Sequence, residues 1–200
     1  MKLLYVCCLC MLACTAQAQL FSVTHVFNRV LSLPEHGSYY HLDEEPGAGV
    51  AWLRLPPFRT GTISFEVKGK DVLQQSFVGI AFHGSNDTTY DAIYLRPFNF
   101  RAADPVRRRH SVQYISLPRY DWELLRNQFP GKYENAIEPA PDPNDWVKVK
   151  VVVTAKQVTV FVADKQCLQV DLLDNIKAGT QLGLWAGNGS GGDWRNVRVL

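Results

Sequence analysis

The chain has 200 residues, 46% hydrophobic and 12% aromatic, with 21 Lys and Arg against 19 Asp and Glu for a formal charge of +2. So even a balance gives no electrostatic footprint for nucleic acid or for an anionic membrane surface. The length suits one domain with a sizeable core, expected over residues 19–200.

The first eighteen residues read as a leader. Lys2 gives a positive start, Leu3 to Cys14 is an apolar run, and Ala16-Gln17-Ala18 fits the small-x-small rule for signal peptidase. The run is too short to cross a bilayer as a helix. The expectation is a signal peptide over residues 1–18 and a secreted or periplasmic product with no stable membrane insertion. Met11-Leu12-Ala13-Cys14 loosely matches a lipobox, which would anchor the chain at Cys14. The small-residue match is the closer of the two. Cys7, Cys8, Cys10 and Cys14 all lie in the leader, so only Cys167 remains, with no disulfide partner and no cysteine cluster for a metal. Export without disulfides suits a bacterial periplasm or envelope.

Residues 20–50 mix short apolar pieces with turn formers. Val23, Val26 and Phe27 suit a sheet edge, while Glu35-His36-Gly37 and Glu44-Glu45-Pro46-Gly47 read as turns. His36 and His41 have no partner pattern and read as exposed loop residues. Val50 to Leu55 is an apolar strand ending at Pro56-Pro57. From Gly61 to Lys68, Ile63, Phe65 and Val67 alternate with polar residues, the period of a half-buried strand. Phe77 to His83 reads as a central strand. Tyr90 to Phe100 is a strand interrupted by Pro97, which cannot donate to a ladder.

Ala102 to Arg109 reads as a polar loop whose three arginines are too few and too isolated to indicate nucleic acid. His110 to Ser116 returns to strand, with Val112 and Tyr114 on one face and Gln113 and Ile115 on the other. Asp121 to Phe129 is the one good helix candidate. Trp122, Leu125 and Phe129 share a face, and Pro130-Gly131 stops it. That spacing makes Trp122 a packing anchor. Trp146 to Thr154 and Gln157 to Ala163 form a hairpin with valines on alternate positions, followed by a strand through Leu168, Val170 and Leu172. Cys167 reads as a structural thiol. Gln181 to Ala186 is another strand, and Gly187 to Asp193 reads as a glycine-rich turn before a last strand from Trp194 to Leu200. This turn opens no helix and lacks the P-loop lysine, which argues against nucleotide binding. The many short strands indicate an all-β antiparallel sandwich with one short helix.

The pieces SFVGIAFHG, YDAIYLRPFNF, HSVQYISLP, GKYE, NDWVKVKVVV and LGLWAGNGSGGDWRNVRV, in that order, resemble the concanavalin A-like lectin/glucanase superfamily. The nearest branch is the bacterial 3-keto-disaccharide hydrolase, or family-16-like, domain. The resemblance covers roughly residues 45–200 and implies a jelly roll of two curved sheets whose concave face often holds carbohydrate. One departure is plain. Family-16 glucanases carry acids at alternating positions of one strand, and no such strand occurs here, which disfavours a retaining glucanase mechanism.

The stretch from Tyr90 to Glu134 gathers the side chains suited to sugars. Aromatic faces stack on sugar rings, and planar amide and guanidinium groups match paired hydroxyls. The expected ligand-binding residues are Arg96, Asn99, Gln113, Trp122, Arg126 and Tyr133, with Glu134 and His110 as acid/base candidates if a glycosidic bond is cleaved. No metal ligand set and no cofactor are expected, although Asn188 and Asp193 could help hold a structural calcium or a sugar hydroxyl. The function expected is a carbohydrate-active or carbohydrate-binding domain. The alternatives are a non-catalytic recognition module for glycan or protein, and an envelope protein whose Arg96, Arg126 and Glu134 pair internally without a groove.

Overall fold

The computed structural model describes residues 20–34, 38–173 and 179–200. The signal segment, the Cys14 anchor and His36 lie outside the described residues. In chain order the strands are β1 (Val23–Phe27), β2 (Leu31–Ser32), β3 (Tyr39–Glu45), β4 (Gly49–Leu53), β5 (Gly61–Lys68), β6 (Val78–Asn86) and β7 (Thr89–Leu95). There follow β8 (Val112–Ser116), β9 (Glu134–Asn135), β10 (Val147–Val153), β11 (Gln157–Val162), β12 (Lys165–Asp171), β13 (Gln181–Ala186) and β14 (Ser190–Val199).

They form two seven-stranded sheets, in the orders β1-β4-β13-β6-β7-β8-β9 and β12-β11-β10-β5-β14-β3-β2. Every pairing is antiparallel. This is the expected β-sandwich. The core follows from alternation: Ile63, Phe65 and Val67 of β5 and Val147, Val149, Val151 and Val153 of β10 are buried, while their neighbours along each strand are less so. Trp194 of β14 is fully buried and donates its indole N–H to the carbonyl of Gly79 in β6 at 2.8 Å, a polar tie across the two sheets.

Several expectations need correction. Tyr39–Glu45 is a strand, so His41 lies in a sheet and pairs with Asp193 at 2.7 Å instead of in a free loop. Its acidic end hid the alternation of the buried Tyr40 and Leu42. The glycines 191 and 192 belong to β14 and not to a turn. A Cβ on Gly192 would stand 2.7 Å from Val78 Cγ1, so their smallness serves close sheet packing. A second helix is also present. The presumed loop holds α1 (Pro105–Arg108), where Asp104 accepts from Val106 N and proline occupies the first turn. The expected helix is α2 (Trp122–Gln128), capped by Asp121, which accepts from Leu124 N at 2.8 Å.

Cys167 is buried and free, and desolvation pushes its thiol up to about 12, as suits a structural cysteine. No helix among the described residues is long and apolar enough to cross a membrane.

Candidate functional site

Strand register builds the floor of the site. The pairings Val50↔Trp185, Trp185↔Gly79, Gly79↔Tyr94, Tyr94↔Gln113 and Gln113↔Glu134 set one row of residues across six strands. Alternation gives that row to a single face. Val78, one residue along, points the other way toward β14, so the row lies on the outer face of its sheet. Gly79 is required in it. A Cβ there would overlap the Ile93 carbonyl and stand 2.6 Å from Tyr94 Cα. Without one, the rings of Trp185 and Tyr94 meet across the glycine with centroids 4.8 Å apart.

Two insertions rise at one end of this row, residues 96–111 between β7 and β8 and residues 117–133 between β8 and β9. They enclose a cavity of about 780 Å³, a size typical of small-molecule sites. Tyr94, Trp185 and Ile115 lie beneath it, and Phe77, Phe98 and Trp122 form apolar walls. Arg96, Asn99, Arg107, His110, Arg126 and Asn188 add polar groups. Of the residues expected from sequence, Arg96, Asn99, His110, Trp122 and Arg126 therefore line one space. Gln113, Tyr133 and Glu134 are buried behind it.

Glu134 is the electrostatic centre of that wall. Its side chain is 4% exposed. Arg126 donates to both oxygens, Nε to Oε1 at 3.0 Å and Nη2 to Oε2 at 2.7 Å, the forked pairing that a guanidinium makes best. Arg96 Nη1 lies 3.7 Å from Oε2. Arg96 is itself held by Tyr94 Oη at 2.9 Å, by the His110 carbonyl at 3.1 Å and by Gln113 Oε1. Gln113 has no free end, since its amide donates to the carbonyls of Tyr114 and Tyr133. Tyr133 packs against Tyr114 with ring centroids 5.9 Å apart. Gln113 and Tyr133 thus support the wall from behind.

His110 Nδ1 stands 2.8 Å from Glu134 Oε2. Burial lowers the His110 pKa below its usual value; Glu134 opposes that effect, and Arg126 and Arg96 add to it. Trp122 is 45% exposed and carries the Arg126 guanidinium 5.0 Å above its ring. This corrects the packing-anchor expectation. Only Leu125 of that helical face is covered, because α2 lies at the sheet edge.

Sequence reasoning missed several contributors. Tyr94, Trp185 and Phe77 looked like ordinary strand residues, and only cross-strand register reveals their shared face. Arg107 lies in the stretch expected to be a polar loop, yet its side chain turns inward beside α1, where Nε donates to Asn99 Oδ1 and Nη2 to the Phe98 carbonyl. Arg29 is buried and donates to the carbonyls of Gly47, Ala186, Gly187 and Ser190, fixing the rim beside Ala48 and Asn188. Isolated in a weakly patterned segment, it gave no signal.

Asn188 and Asp193, the calcium candidates, have separate duties. Asn188 Oδ1 accepts from Gly47 N at 2.7 Å, and Asp193 pairs with His41. No group of three or more His, Cys, Asp or Glu side chains suited to a metal occurs among the described residues.

No family model matches the chain, and no curated protein matches it. Solved structures do. The chain is similar to the carbohydrate binding module CBM66 from Bacillus subtilis, with TM-score 0.62 and 12% identity over 88% of this chain and 94% of that one. It is similar to the exoplasmic/lumenal domain of VIP36, solved with Ca2+ and Man3GlcNAc, with TM-score 0.54 and 16% identity over 86% and 82%. A sialidase matches with TM-score 0.56 and 12% identity, but over only 16% of its own chain. These likenesses show the fold, a concanavalin A-like jelly roll.

Proposed function

We propose that this chain is an exported carbohydrate-binding domain of the bacterial envelope, and that the cavity at the end of the Trp185–Tyr94 row is its sugar site. The carrying observation is the lining itself: apolar rings beside Arg, Asn and His in one cavity of about 780 Å³. Sugar rings present apolar C–H faces and polar edges, which such a mixture fits. Carbohydrate-binding neighbours on the same fold support the reading without assigning a ligand. The internal pairing foreseen for a purely structural protein is present, but so is an open cavity beside it.

Recognition without cleavage is the better supported form. Asp121 is the one carboxylate among the lining residues, and it caps α2. A second reading, hydrolysis, draws on one contact: His110 faces the cavity while Glu134 stands 2.8 Å behind its Nδ1. In that reading His110 is the acid/base and Glu134 positions its ring. Calorimetric titration against a glycan panel, run beside a reducing-sugar assay, separates the two. Binding without turnover is the expected result. Turnover that disappears in His110→Asn would select hydrolysis, and no glycan binding at all would remove the carbohydrate proposal.

A further inference from the structure

The charges facing the cavity narrow the ligand class, on the footing of the carbohydrate reading above. Arg96, Arg107 and Arg126 line it. Against them stand Asp121, whose Oδ1 accepts from Leu124 N, and Glu134 behind the wall. Three cations against two carboxylates leave one positive charge in excess, in a space walled by aromatic rings.

The spare hydrogen-bonding capacity has the same sign. Arg126 commits Nε and Nη2 to Glu134, and Arg107 commits Nε and Nη2 to Asn99 and Phe98. The Nη1 of each has no bond among the described residues. Two of the three amide oxygens nearby are already occupied, Asn99 Oδ1 by Arg107 and Asn188 Oδ1 by Gly47 N, and the third belongs to the exposed Gln74 at the rim. A neutral sugar hydroxyl both donates and accepts, so a site for neutral sugars needs open acceptors as well as donors. Beside the Gln74 amide and the second Asp121 oxygen, the open groups deeper in the wall are two guanidinium donors, which match a group that only accepts and carries negative charge. Low local polarity strengthens such a contact.

We propose that the cavity recognises an acidic saccharide, with a ring carboxylate or sulfate facing Arg107 and Arg126 and the sugar ring against Trp122. The shared chemistry is an anionic substituent on a sugar. Its two sources are a uronic acid and a sulfate ester.

The test is a set of matched pairs measured by calorimetry on the whole protein: oligogalacturonate beside its methyl ester, and a sulfated galactan oligosaccharide beside its desulfated form. The acidic member of at least one pair is expected to bind about tenfold or more tightly than its neutral counterpart. That preference should shrink as salt is raised. Whichever pair shows it identifies carboxylate or sulfate. Arg107→Gln, which leaves Glu134 and its partners in place, should reduce the preference by about tenfold. Arg126→Lys keeps the charge and the Glu134 partner while losing the fork, and should reduce it less. Equal binding of acidic and neutral members, or binding of neutral glycans alone, would overturn the acidic assignment and leave the carbohydrate reading standing. Binding of neither would overturn both. An acidic preference unchanged in Arg107→Gln and Arg126→Lys would place the anion elsewhere and overturn this site.

Discussion

The molecule carries the same three residue types in two places. At the cavity, Arg126 lies over Trp122 at 5.0 Å and forks onto Glu134. On the other sheet, Arg195 lies over Trp146 at 4.2 Å and bonds Glu66 at 2.7 Å. The chemistry is alike and the setting is not. Glu134 is 4% exposed, with Arg96 and His110 also drawn to it. The Glu66 side chain is 25% exposed, and its partners in register are Arg195 of β14 and Lys148 of β10, on a face of paired strands. A Trp–Arg–Glu cluster becomes a candidate site through the loops that enclose it, not through the side chains alone.

Breaking each ion pair should give the largest difference between the two. Glu134→Gln leaves the buried Arg96 and the half-buried Arg126 without their counter-charge and should cost about 3 kcal/mol. Glu66→Gln removes a partly exposed pair and should cost no more than about 1 kcal/mol. Denaturant unfolding of the two variants checks this, and equal losses would erase the distinction drawn between the clusters.

The next effect is on binding. Trp122→Ala should weaken saccharide affinity by about tenfold, as loss of a stacking anchor does. Trp146→Ala should leave it unchanged, although its ring is similarly covered by an arginine. Titration of both variants with one glycan gives the comparison.

Smaller effects concern pH. His110 has its folded pKa lowered, chiefly by burial, from the usual 6.5. Between the lowered value and 6.5 the unfolded state binds more protons, so stability rises with pH through that window. Its contribution is complete above 6.5 and is lost as pH falls through the folded value. His110→Asn should flatten this part of the stability profile. For Glu66, burial acts to raise the carboxyl pKa, but bonds from Asn196 and Arg195 outweigh it and hold the value below 4.5. Stability from Glu66 is therefore present above 4.5 and lost as pH falls below the lowered folded value. Glu66→Gln should flatten only that acid limb, leaving the window of His110 intact.

The strands were legible where one face is buried, because alternation writes itself into Ile63-Phe65-Val67 or the valines of β10. β3 was not, since its polar tail broke the pattern. The site was legible as chemistry: the Arg, His, Asn and Trp of the Tyr90–Glu134 stretch do include five that share the cavity. What could not be read was depth. Gln113, Tyr133 and Glu134 carry the same residue types as the lining groups but are buried, and only the contacts of Arg96, Arg126 and His110 over Gln113 and Glu134 show it. Asp91 makes the point from β7. One position off in parity from Tyr90 and Ala92, it is buried against His83 at 2.7 Å and Tyr114 Oη at 2.8 Å, away from the cavity. Trp122 failed in the opposite sense. Helical spacing gave its face correctly, but the sheet ends before covering it.

The most direct test uses the five tryptophans as reporters. Their indole N–H resonances can be followed by NMR while a bound saccharide is titrated. Trp122 should shift most and Trp185 next, whereas Trp146 on the opposite sheet and Trp194 between the sheets should stay in place. A shift centred on Trp146 with Trp122 unmoved would put the sugar on the wrong side of the molecule and contradict the cavity as its site.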